Sequence, residues 1–310
     1  MSIEFDSSKI IFIGGAPRSG TTLVQRIVAS NSSVFGGPEF DLLPAVIRLR
    51  NMFHASIDLG RISVYLDHAD VDEIFRGLVV AAFQKTMQAN PGKQYLSEKT
   101  PANVEVFAEL AETFPNAKLI FVVRDPRSIV TSMLEVGTRF RKEGYSPLDY
   151  MRNARRAIRY INKLWGAAAQ VIGKENTHVV FYEDIVSQPD VLISELANKL
   201  GLVFENGMVK IENQQTITSE FKNAEHLWYS KENLQRAIDN LSVEKWKDQL
   251  TAYELFVIDK RLRRIPEITD RYEQKQPTNL LFWIMDFFGN ALLETREMLG
   301  EIGRKIYYRM

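Results

Sequence analysis

The sequence predicts an α/β fold in which a parallel β-sheet is flanked by helices. Strand-like and helix-like patterns alternate as far as about residue 210, as crossover connections between parallel strands require. Two short, continuous apolar runs, residues 10–14 and 118–125, are typical of central strands that are buried on both faces. The C-terminal residues carry a different, amphipathic pattern. We therefore expect one domain over 1–272 and a linker with a helical tail over 273–310.

The remaining elements follow from the same periodicities. The predicted strands cover residues 10–14, 94–100, 118–125 and 174–185. Helical spacing predicts helices over 21–30, 71–88, 103–114, 128–134, 147–172 and 189–200. Residues 214–231 form a polar, loop-like stretch that is longer than most connections in a compact domain, and such loops usually serve a function.

Composition excludes several classes of protein. The 310 residues are 45% hydrophobic and 25% charged, which is ordinary for a soluble chain. The formal net charge is zero, so no overall field attracts nucleic acid, and no nucleic-acid partner is expected. There is no cysteine, which excludes disulfides, thiolate nucleophiles and cysteine-ligated metals. The first residues show no signal-peptide or anchor pattern, and a cytoplasmic location is expected.

The tail is predicted to be an amphipathic helix. Apolar side chains recur at helical spacing from Leu281 to Ile306, while Asp286 and later acidic residues fall largely opposite. Its most apolar part, 280–293, is shorter than the about 20 residues that span a bilayer. Packing on its own domain or on a twin subunit is the simpler interpretation. The alternative is an interfacial membrane helix with Trp283 and Phe287 turned toward lipid.

The segment GGAPRSGTT, residues 14–22, predicts an anion-binding loop. It connects a buried strand to a helix, where backbone N–H groups and the helix dipole attract negative charge. Gly15 and Gly20 have the spacing of a P-loop, but Thr21 stands where the P-loop has its lysine, and Arg18 is the only cation. The loss of that lysine disfavours a kinase that uses Mg·ATP. A sulfuryl group carries a single negative charge, so arginine, lysine and backbone donors could stabilise its transfer without a metal.

The loop resembles the 5′-phosphosulfate loop of sulfotransferases that use 3′-phosphoadenosine 5′-phosphosulfate (PAPS). The family's second signature, a strand that ends in arginine with a serine eight residues later, is matched by Arg124 and Ser132 in FVVRDPRSIVTSML. The resemblance implies a P-loop-like sulfotransferase fold, PAPS as donor, 3′,5′-ADP as product and no metal. It also implies that Arg124 and Ser132 bind the 3′-phosphate. The residues implied to bind the phosphosulfate are Arg18, Ser19, Gly20, Thr21 and Thr22.

Glu39 is the candidate general base. The chain most resembles the tyrosylprotein and bacterial carbohydrate-type branch, in whose tyrosylprotein members a catalytic glutamate lies 21 residues after the loop arginine, the spacing from Arg18 to Glu39. A carboxylate that follows Gly-Gly-Pro could take the proton of an attacking hydroxyl. Asp41 is the alternative base, and a solvated loop acid is the alternative role for Glu39. No histidine falls in any of these motifs, although many cytosolic sulfotransferases use one.

Two further segments match the family. SEKTPAN resembles its K-[TD]-P segment, which implies that Lys99 acts with Arg18 in catalysis by stabilising the leaving phosphate. A solvated lysine is the competing interpretation. VVFYEDIV matches the family strand that carries Tyr-Glu-Asp, so Tyr182 is expected either beside the adenine or a phosphate of the donor, or in the core.

The resemblance weakens toward the C-terminus. Arg236 corresponds to a basic residue of the tyrosylprotein members, but the alignment there depends on Trp246 alone. A further family arginine, twelve residues after the strand-end arginine, is replaced by Val136, and Arg139 is a candidate substitute. The resemblance spans residues 10–246, with its strongest motifs in the first half.

The predicted function is transfer of the sulfuryl group of PAPS to a hydroxyl of a carbohydrate, glycolipid or similar small-molecule acceptor. The alternatives are a P-loop small-molecule kinase, a protein-tyrosine sulfotransferase and an inactive nucleotide-binding scaffold. A homodimer and peripheral membrane contact through the tail both stay open. The helix over 147–172 also carries a basic face that is either solvated or a site for an acidic acceptor. That face consists of Arg152, Arg155, Arg156, Arg159 and Lys163.

Overall fold

Five parallel strands form the only sheet in the part of the chain that the structure describes. The structure is a computed structural model, and it describes residues 6–211, 227–228, 238–272 and 279–289. The strands are β1 (Ile10–Gly15), β2 (Val34–Gly36), β3 (Tyr95–Lys99), β4 (Lys118–Val123) and β5 (Thr177–Phe181). Their order across the sheet is β2-β3-β1-β4-β5, and each neighbouring pair is parallel. The predicted α/β class and the central position of β1 and β4 are confirmed.

Helices connect the strands and cover both faces of the sheet. They are α1 (Thr21–Ala29), α2 (Leu43–Asp58), α3 (His68–Gln88), α4 (Phe107–Thr113), α5 (Pro126–Lys142), α6 (Ala154–Ala168), α7 (Tyr182–Ser187), α8 (Pro189–Leu200), α9 (Asn206–Lys210), α10 (Trp246–Gln249), α11 (Ala252–Arg261) and α12 (Pro266–Thr269). Residues 280–289 are also helical and are called the tail helix below. Short 3₁₀ turns occupy Ser7–Lys9, Pro101–Val106, Asp149–Met151 and Asp270–Tyr272.

The apolar runs become central strands because side chains on both faces of the sheet are buried. Phe12 points into the larger core, where its ring lies 5.7 Å from that of Phe114. Its neighbours Ile11 and Ile13 point into the second core, against α1 and α8. Every residue of β1 is buried. Truncating a fully buried phenylalanine such as Phe12 to alanine typically costs about 3–5 kcal/mol of unfolding free energy.

Several predicted boundaries shift for local reasons. The helix predicted over 147–172 begins only at Ala154, because the Asn153 side chain caps it by accepting from the Arg156 amide. The strand predicted over 174–185 is shorter because α7 begins at Tyr182. The helix predicted over 128–134 is longer, starting where Asp125 accepts from the Arg127 amide.

Strand β2 and helix α2 were not predicted. Strand β2 has only three residues, too few for an alternating pattern. Helix α2 exposes Leu49 and Met52 while it buries Ile47 and Leu43. Because apolar side chains lie on both sides of α2, the sequence has no clean apolar stripe there.

The tail helix packs on α6 and α11 through its polar side. Asp286 is buried and contacts Arg155 on α6 and both Lys260 and Arg261 on α11. Asp286 lies opposite the apolar residues, as expected, and residues 280–289 pack on their own domain, but most of the apolar side faces outward. No helix in the described part of the chain is both long and apolar enough to cross a membrane.

Candidate active site

The candidate residues meet at one edge of the sheet, where the parallel strands end. Arg18 lies in the loop after β1, Lys99 is the last residue of β3, and Arg124 follows β4 directly. Tyr182 follows β5. The carboxyl ends of parallel strands are where α/β proteins bind their ligands, so the topology brings together residues that are far apart in sequence.

The β1–α1 loop has an unusual backbone conformation, in which the Ser19 amide donates to the carbonyl oxygen of Ala16 at 2.9 Å. Arg18 has a φ of 76° and Gly20 a φ of 101°, both left-handed. A side chain at Gly20 is also excluded by space, because a Cβ there would lie 2.4 Å from Cδ2 of Tyr182. For Arg18 the left-handed conformation costs about 1–2 kcal/mol. Strain of this kind is found where a binding site needs a particular backbone shape.

Two buried polar atoms at this edge lack hydrogen-bond partners among the residues that the structure describes. They are Oγ of Ser19 in the loop and Nε of Arg124. The N-terminus of α1 likewise has no side-chain cap at Gly20. An unsatisfied buried polar group costs about 1–3 kcal/mol. Oxygen atoms of an anion bound at the loop would satisfy all of these donors.

Arg18 joins the loop to α5. Its Nε donates to Oγ of Ser132 at 2.9 Å, and its Nη1 donates to the carbonyl oxygen of Trp228 at 3.0 Å. The two sequence motifs, the Gly-rich loop and the serine of the strand-end signature, are therefore in direct contact.

Arg124 forms the second cationic centre. Its Nη1 donates to the carbonyl oxygen of Arg18 at 3.1 Å, and its Nη2 donates to that of Ser242 at 2.7 Å. The guanidinium lies 4.3 Å from the centroid of the Tyr182 ring, and the hydroxyls of Tyr182 and Ser242 are 2.8 Å apart. Arg124, Tyr182 and the loop thus form one packed unit.

The segment around Ser242 was missed by sequence reasoning. Besides the contacts of Ser242, the carbonyl oxygen of Val243 accepts from Oγ of Ser128 at 2.8 Å. Trp246 anchors this segment, because the Arg127 guanidinium lies 4.3 Å from its ring. Trp246 was the one sequence signal here, and it gave no indication that neighbouring carbonyl groups bind the site arginines.

Asp125 does not neutralise Arg124. It forms a bidentate pair with Arg127, at 2.8 Å and 2.6 Å, and its backbone amide donates to Glu183 at 2.8 Å. A structural ion pair between Arg124 and the adjacent aspartate, the simplest competing role for Arg124, is therefore wrong. The charge of Arg124 is directed to neutral carbonyl oxygens instead.

Glu39 and Lys99 form a contact pair on the other side of the loop. Nζ of Lys99 binds Oε1 of Glu39 and lies 3.4 Å from Oγ1 of Thr22. The Lys99 side chain is 7% exposed, so it is not a solvated loop lysine, whereas that of Glu39 is 33% exposed. Asp41 is exposed two residues further on. The carboxylate that Lys99 contacts is that of Glu39.

Glu98 is the most important residue that sequence reasoning missed. It is buried, and it accepts from the Phe40 amide at 3.0 Å, from the Thr100 hydroxyl at 2.7 Å and from the Asn103 side chain. Burial raises the pKa of Glu98 to about 7, although these hydrogen bonds and the charge of Lys99 oppose the rise. The one feature of the sequence that could have pointed to Glu98 is an acidic residue within a strand that was predicted to be buried.

Consecutive residues of β3 therefore hold two neighbouring residues of the loop before α2, Glu39 and Phe40. Side chains of a strand alternate between faces, so Glu98 points to one side of the sheet and Lys99 to the other. Lys99 binds the carboxylate of Glu39 while Glu98 binds the amide of Phe40. The position of the Glu39 carboxylate depends on both contacts.

The remaining candidates are Arg139, Arg236 and the basic face around α6. Arg139 donates to the carbonyl oxygen of Leu227 at 3.1 Å, and Arg236 lies outside the described residues. The predicted basic face is neither simply solvated nor an open anion site, because three of its five cations bind carboxylates, and Arg152 lies before α6 begins at Ala154. These pairs are Arg155 with Asp286, Arg156 with Asp149, and Lys163 with Glu105.

Comparison with known proteins identifies the family. The model described as "Sulfotransferase family" matches residues 11–206. The chain belongs to the sulfotransferase family. This sulfotransferase is 29% identical over 222 residues to protein-tyrosine sulfotransferase 2 of Gallus gallus, an alignment that covers 68% of this chain and 56% of that protein. It is 28% identical over 263 residues to the nodulation protein NoeE of Sinorhizobium fredii, covering 79% and 62%. The chain thus spans little more than half the length of these relatives.

Solved structures agree with the fold of this sulfotransferase. The sulfotransferase domain from the curacin biosynthetic pathway superposes with a TM-score of 0.53 at 22% identity, covering 86% of this chain and 98% of that one. The sulfotransferase domain from the Synechococcus PCC 7002 olefin synthase superposes with a TM-score of 0.50 at 19% identity, covering 83% and 95%. At this level of identity the two structures support the fold alone.

Proposed function

We propose that this sulfotransferase moves the sulfuryl group of PAPS to a hydroxyl of a carbohydrate, glycolipid or similar acceptor. The observation that carries the proposal is the arrangement of Arg18, Lys99 and Glu39 around the N-terminus of α1. It places cations beside a phosphate-type loop and a carboxylate beside one of those cations. PAPS is the donor typical of the family.

The donor fits the polar groups of the loop and strand ends. The amides of residues 20–22 and the Ser19 hydroxyl would bind the phosphosulfate at the start of α1. Arg124 would bind the 3′-phosphate through Nε, which has no partner among the described residues, in a charge-assisted contact. Ser132 would add its hydroxyl, and Tyr182 would lie along the adenosine.

Glu39 and Lys99 have different roles in the transfer: Glu39 takes the acceptor proton, and Lys99 stabilises the leaving phosphate. The acceptor oxygen attacks sulfur and loses its proton to Glu39, while the bond from sulfur to the 5′-phosphate oxygen breaks and its electron pair stays on that oxygen. Protonation neutralises Glu39 and weakens its contact with Lys99. Lys99 can then stabilise the charge on the departing phosphate together with Arg18. The same lysine thus couples proton removal to departure of the leaving group.

The surface charge of α6 bears on the choice between two classes of acceptor. Protein-tyrosine sulfotransferase is the second candidate, favoured by the named relatives and by the spacing of Glu39 from Arg18. Acidic peptides require a continuous cationic surface. On α6 the cations Arg155, Arg156 and Lys163 already bind carboxylates of this chain, which favours a carbohydrate or glycolipid.

The decisive experiment compares nucleotides by thermal shift. We expect 3′,5′-ADP to raise the melting temperature and Mg·ATP to leave it nearly unchanged. Stabilisation by Mg·ATP alone would favour a P-loop kinase and overturn the proposal. Incubation with ³⁵S-labelled PAPS and separate glycan, lipid and tyrosine-peptide acceptors then identifies the product. Label in the peptide alone would replace the carbohydrate proposal by tyrosine sulfation.

A further inference from the structure

The tail helix turns its apolar side chains outward. Seven large apolar residues on it are between 43% and 76% exposed: Leu280, Leu281, Trp283, Ile284, Met285, Phe287 and Phe288. Monomeric soluble proteins rarely expose a contiguous apolar patch of this kind unless it contacts something. The outward side of residues 280–289 is therefore a candidate contact surface.

A single buried carboxylate fixes this orientation. Asp286 lies 2.6 Å from Nη1 of Arg155, 2.9 Å from Nζ of Lys260 and 2.8 Å from Nη2 of Arg261. Burial alone would raise the pKa of Asp286, but hydrogen bonds from Arg261 and Lys260 and the charge of Arg155 lower it to about 2. The helix cannot rotate its apolar side inward without pulling a charged carboxylate out of this cluster.

Aromatic contacts reinforce the same orientation. The Phe282 ring lies 5.7 Å from those of Tyr253 and Phe256 on α11. Nζ of Lys260 lies 3.8 Å from the centroid of Trp283 and the Phe256 ring lies 5.5 Å from it, while the Trp283 residue stays 47% exposed. A tryptophan with an apolar body and a neighbouring cation is typical of a membrane interface.

The surroundings of the exposed side are positively charged. Residues 260–264 read KRLRR and contain Lys260, Arg261, Arg263 and Arg264, of which Arg264 lies 3.7 Å from the carboxylate of Asp270. In the cluster itself, three cations share the one carboxylate of Asp286. An apolar helix face beside excess basic charge has the chemistry of an interfacial helix that binds anionic lipids.

We propose that the outward side of the tail helix lies against an anionic phospholipid surface, with residues 260–264 at the level of the headgroups. Charge complementarity favours lipid over a second copy of this chain, because a two-fold contact would bring two positively charged surfaces together. The inference does not depend on PAPS or on the acceptor. It places the outward side of residues 280–289 at a membrane surface.

Vesicle flotation of the full chain tests the proposal. The probes are vesicles of phosphatidylcholine alone and of phosphatidylcholine with about one quarter phosphatidylserine, at low salt and at about 0.5 M salt. We expect binding to the anionic vesicles that weakens at high salt. No binding to either vesicle, or equal binding to both, would overturn it.

Matched variants locate the contact. Phe287→Ser combined with Phe288→Ser removes two side chains that are 70% and 62% exposed, and should lower the partition coefficient by about tenfold or more. Val203→Ser combined with Leu59→Ser removes apolar side chains that are 81% and 65% exposed elsewhere, and should leave partitioning unchanged. Equal losses in the two pairs would contradict a specific lipid-facing helix.

Two further measurements separate other occupants from lipid. Sedimentation that shows a dimer in the wild type and a monomer only in the Phe287/Phe288 variant would assign the surface to a second copy and overturn the lipid proposal. The melting temperature and 3′,5′-ADP affinity of both variant pairs should match the wild type, because neither pair touches the candidate active site. If neither the wild type nor the variants bound 3′,5′-ADP, the proposed function would be contradicted, but the vesicle-binding results would still stand.

Discussion

The donor side and the acceptor side of the candidate active site use opposite electrostatic designs. On the donor side, neutral carbonyl oxygens accept from Arg124, and its Nε has no partner among the described residues. On the acceptor side, Lys99 contacts Glu39. Glu98, the preceding residue of β3, is buried and accepts from the amide of Phe40. Carbonyl groups hold a cation in place without cancelling its charge, which suits permanent phosphate binding. A carboxylate–lysine pair can redistribute charge when a proton arrives, which suits catalysis.

Replacing Glu39 by glutamine breaks the acceptor side most strongly. Since glutamine cannot take up the acceptor proton, we expect kcat for sulfuryl transfer to fall about 10²- to 10⁴-fold. Affinity for 3′,5′-ADP should stay within about twofold of wild type, because the donor side is unchanged. Steady-state kinetics and calorimetry measure the two quantities. Asp41→Asn is the matched control, and a larger loss there than in Glu39→Gln would transfer the role of base to Asp41.

Replacing Arg124 by alanine tests the donor side. The loss of one charge-assisted contact to phosphate should lower affinity for 3′,5′-ADP about 10- to 100-fold. Affinity for 5′-AMP, which has no 3′-phosphate, should change much less. Arg139→Ala is the comparison, because Arg139 also donates to a backbone carbonyl. Equal losses for the two nucleotides would mean that Arg124 acts by shaping the loop and not by binding the 3′-phosphate.

Replacing Glu98 by glutamine should affect catalysis but not donor binding. Glutamine offers one acceptor oxygen where the carboxylate accepts from Phe40, Thr100 and Asn103, so the Glu39 turn loses part of its support. We expect kcat to fall about tenfold, the equivalent of roughly 1.4 kcal/mol, with KM for PAPS unchanged. A fall in donor affinity of the same size would show a general structural role.

The same variant should change how stability depends on pH. The pKa of Glu98 is raised from 4.5 to about 7 in the folded state, so the folded state binds this proton more tightly than the unfolded state does. Proton binding at Glu98 therefore stabilises the fold below about pH 4.5 by roughly 3 kcal/mol. This stabilisation is lost as the pH rises from about 4.5 through 7. Denaturant unfolding from pH 4 to 8 should show a smaller decline in Glu98→Gln. Glu112→Gln, at a side chain that is 66% exposed, should keep the wild-type profile.

Replacing Ser132 by alanine should give the smallest effect. Its hydroxyl accepts from Nε of Arg18, and the loss of one hydrogen bond typically costs about 0.5–1.5 kcal/mol. We expect affinity for 3′,5′-ADP to fall about two- to tenfold, less than in Arg124→Ala. An effect as large as that of Arg124→Ala would mean that Ser132 mainly holds Arg18 in place.

The two sides also differ in how far the sequence predicted them. Arg18, Arg124 and Ser132 were predicted for the donor side because short motifs at the ends of buried strands resemble those of the sulfotransferase family. Glu98 could not be found in this way, because its role depends on the amide of Phe40, which arrives from a distant loop. The carbonyl groups of Trp228 and Ser242 carry no side-chain signal at all.

The tail shows the same limit in another form. Periodicity placed Asp286 opposite the apolar residues, but it could not say which side of the helix meets the domain. That choice depends on Arg155, Lys260 and Arg261, which the fold brings together from two other helices. The central strands were predicted because burial on both faces leaves a continuous apolar run, whereas three-residue β2 leaves no pattern.

The Asp286 cluster also sets an order of events while the chain is made. Arg155, Lys260 and Arg261 all precede Asp286, so a ribosome releases the three cations before the carboxylate that binds them. Until then, α6 and α11 must approach each other against like-charge repulsion. Docking of the tail helix relieves this repulsion. A chain that ends before residue 286 would lack the carboxylate and leave the three cations on α6 and α11 to repel one another.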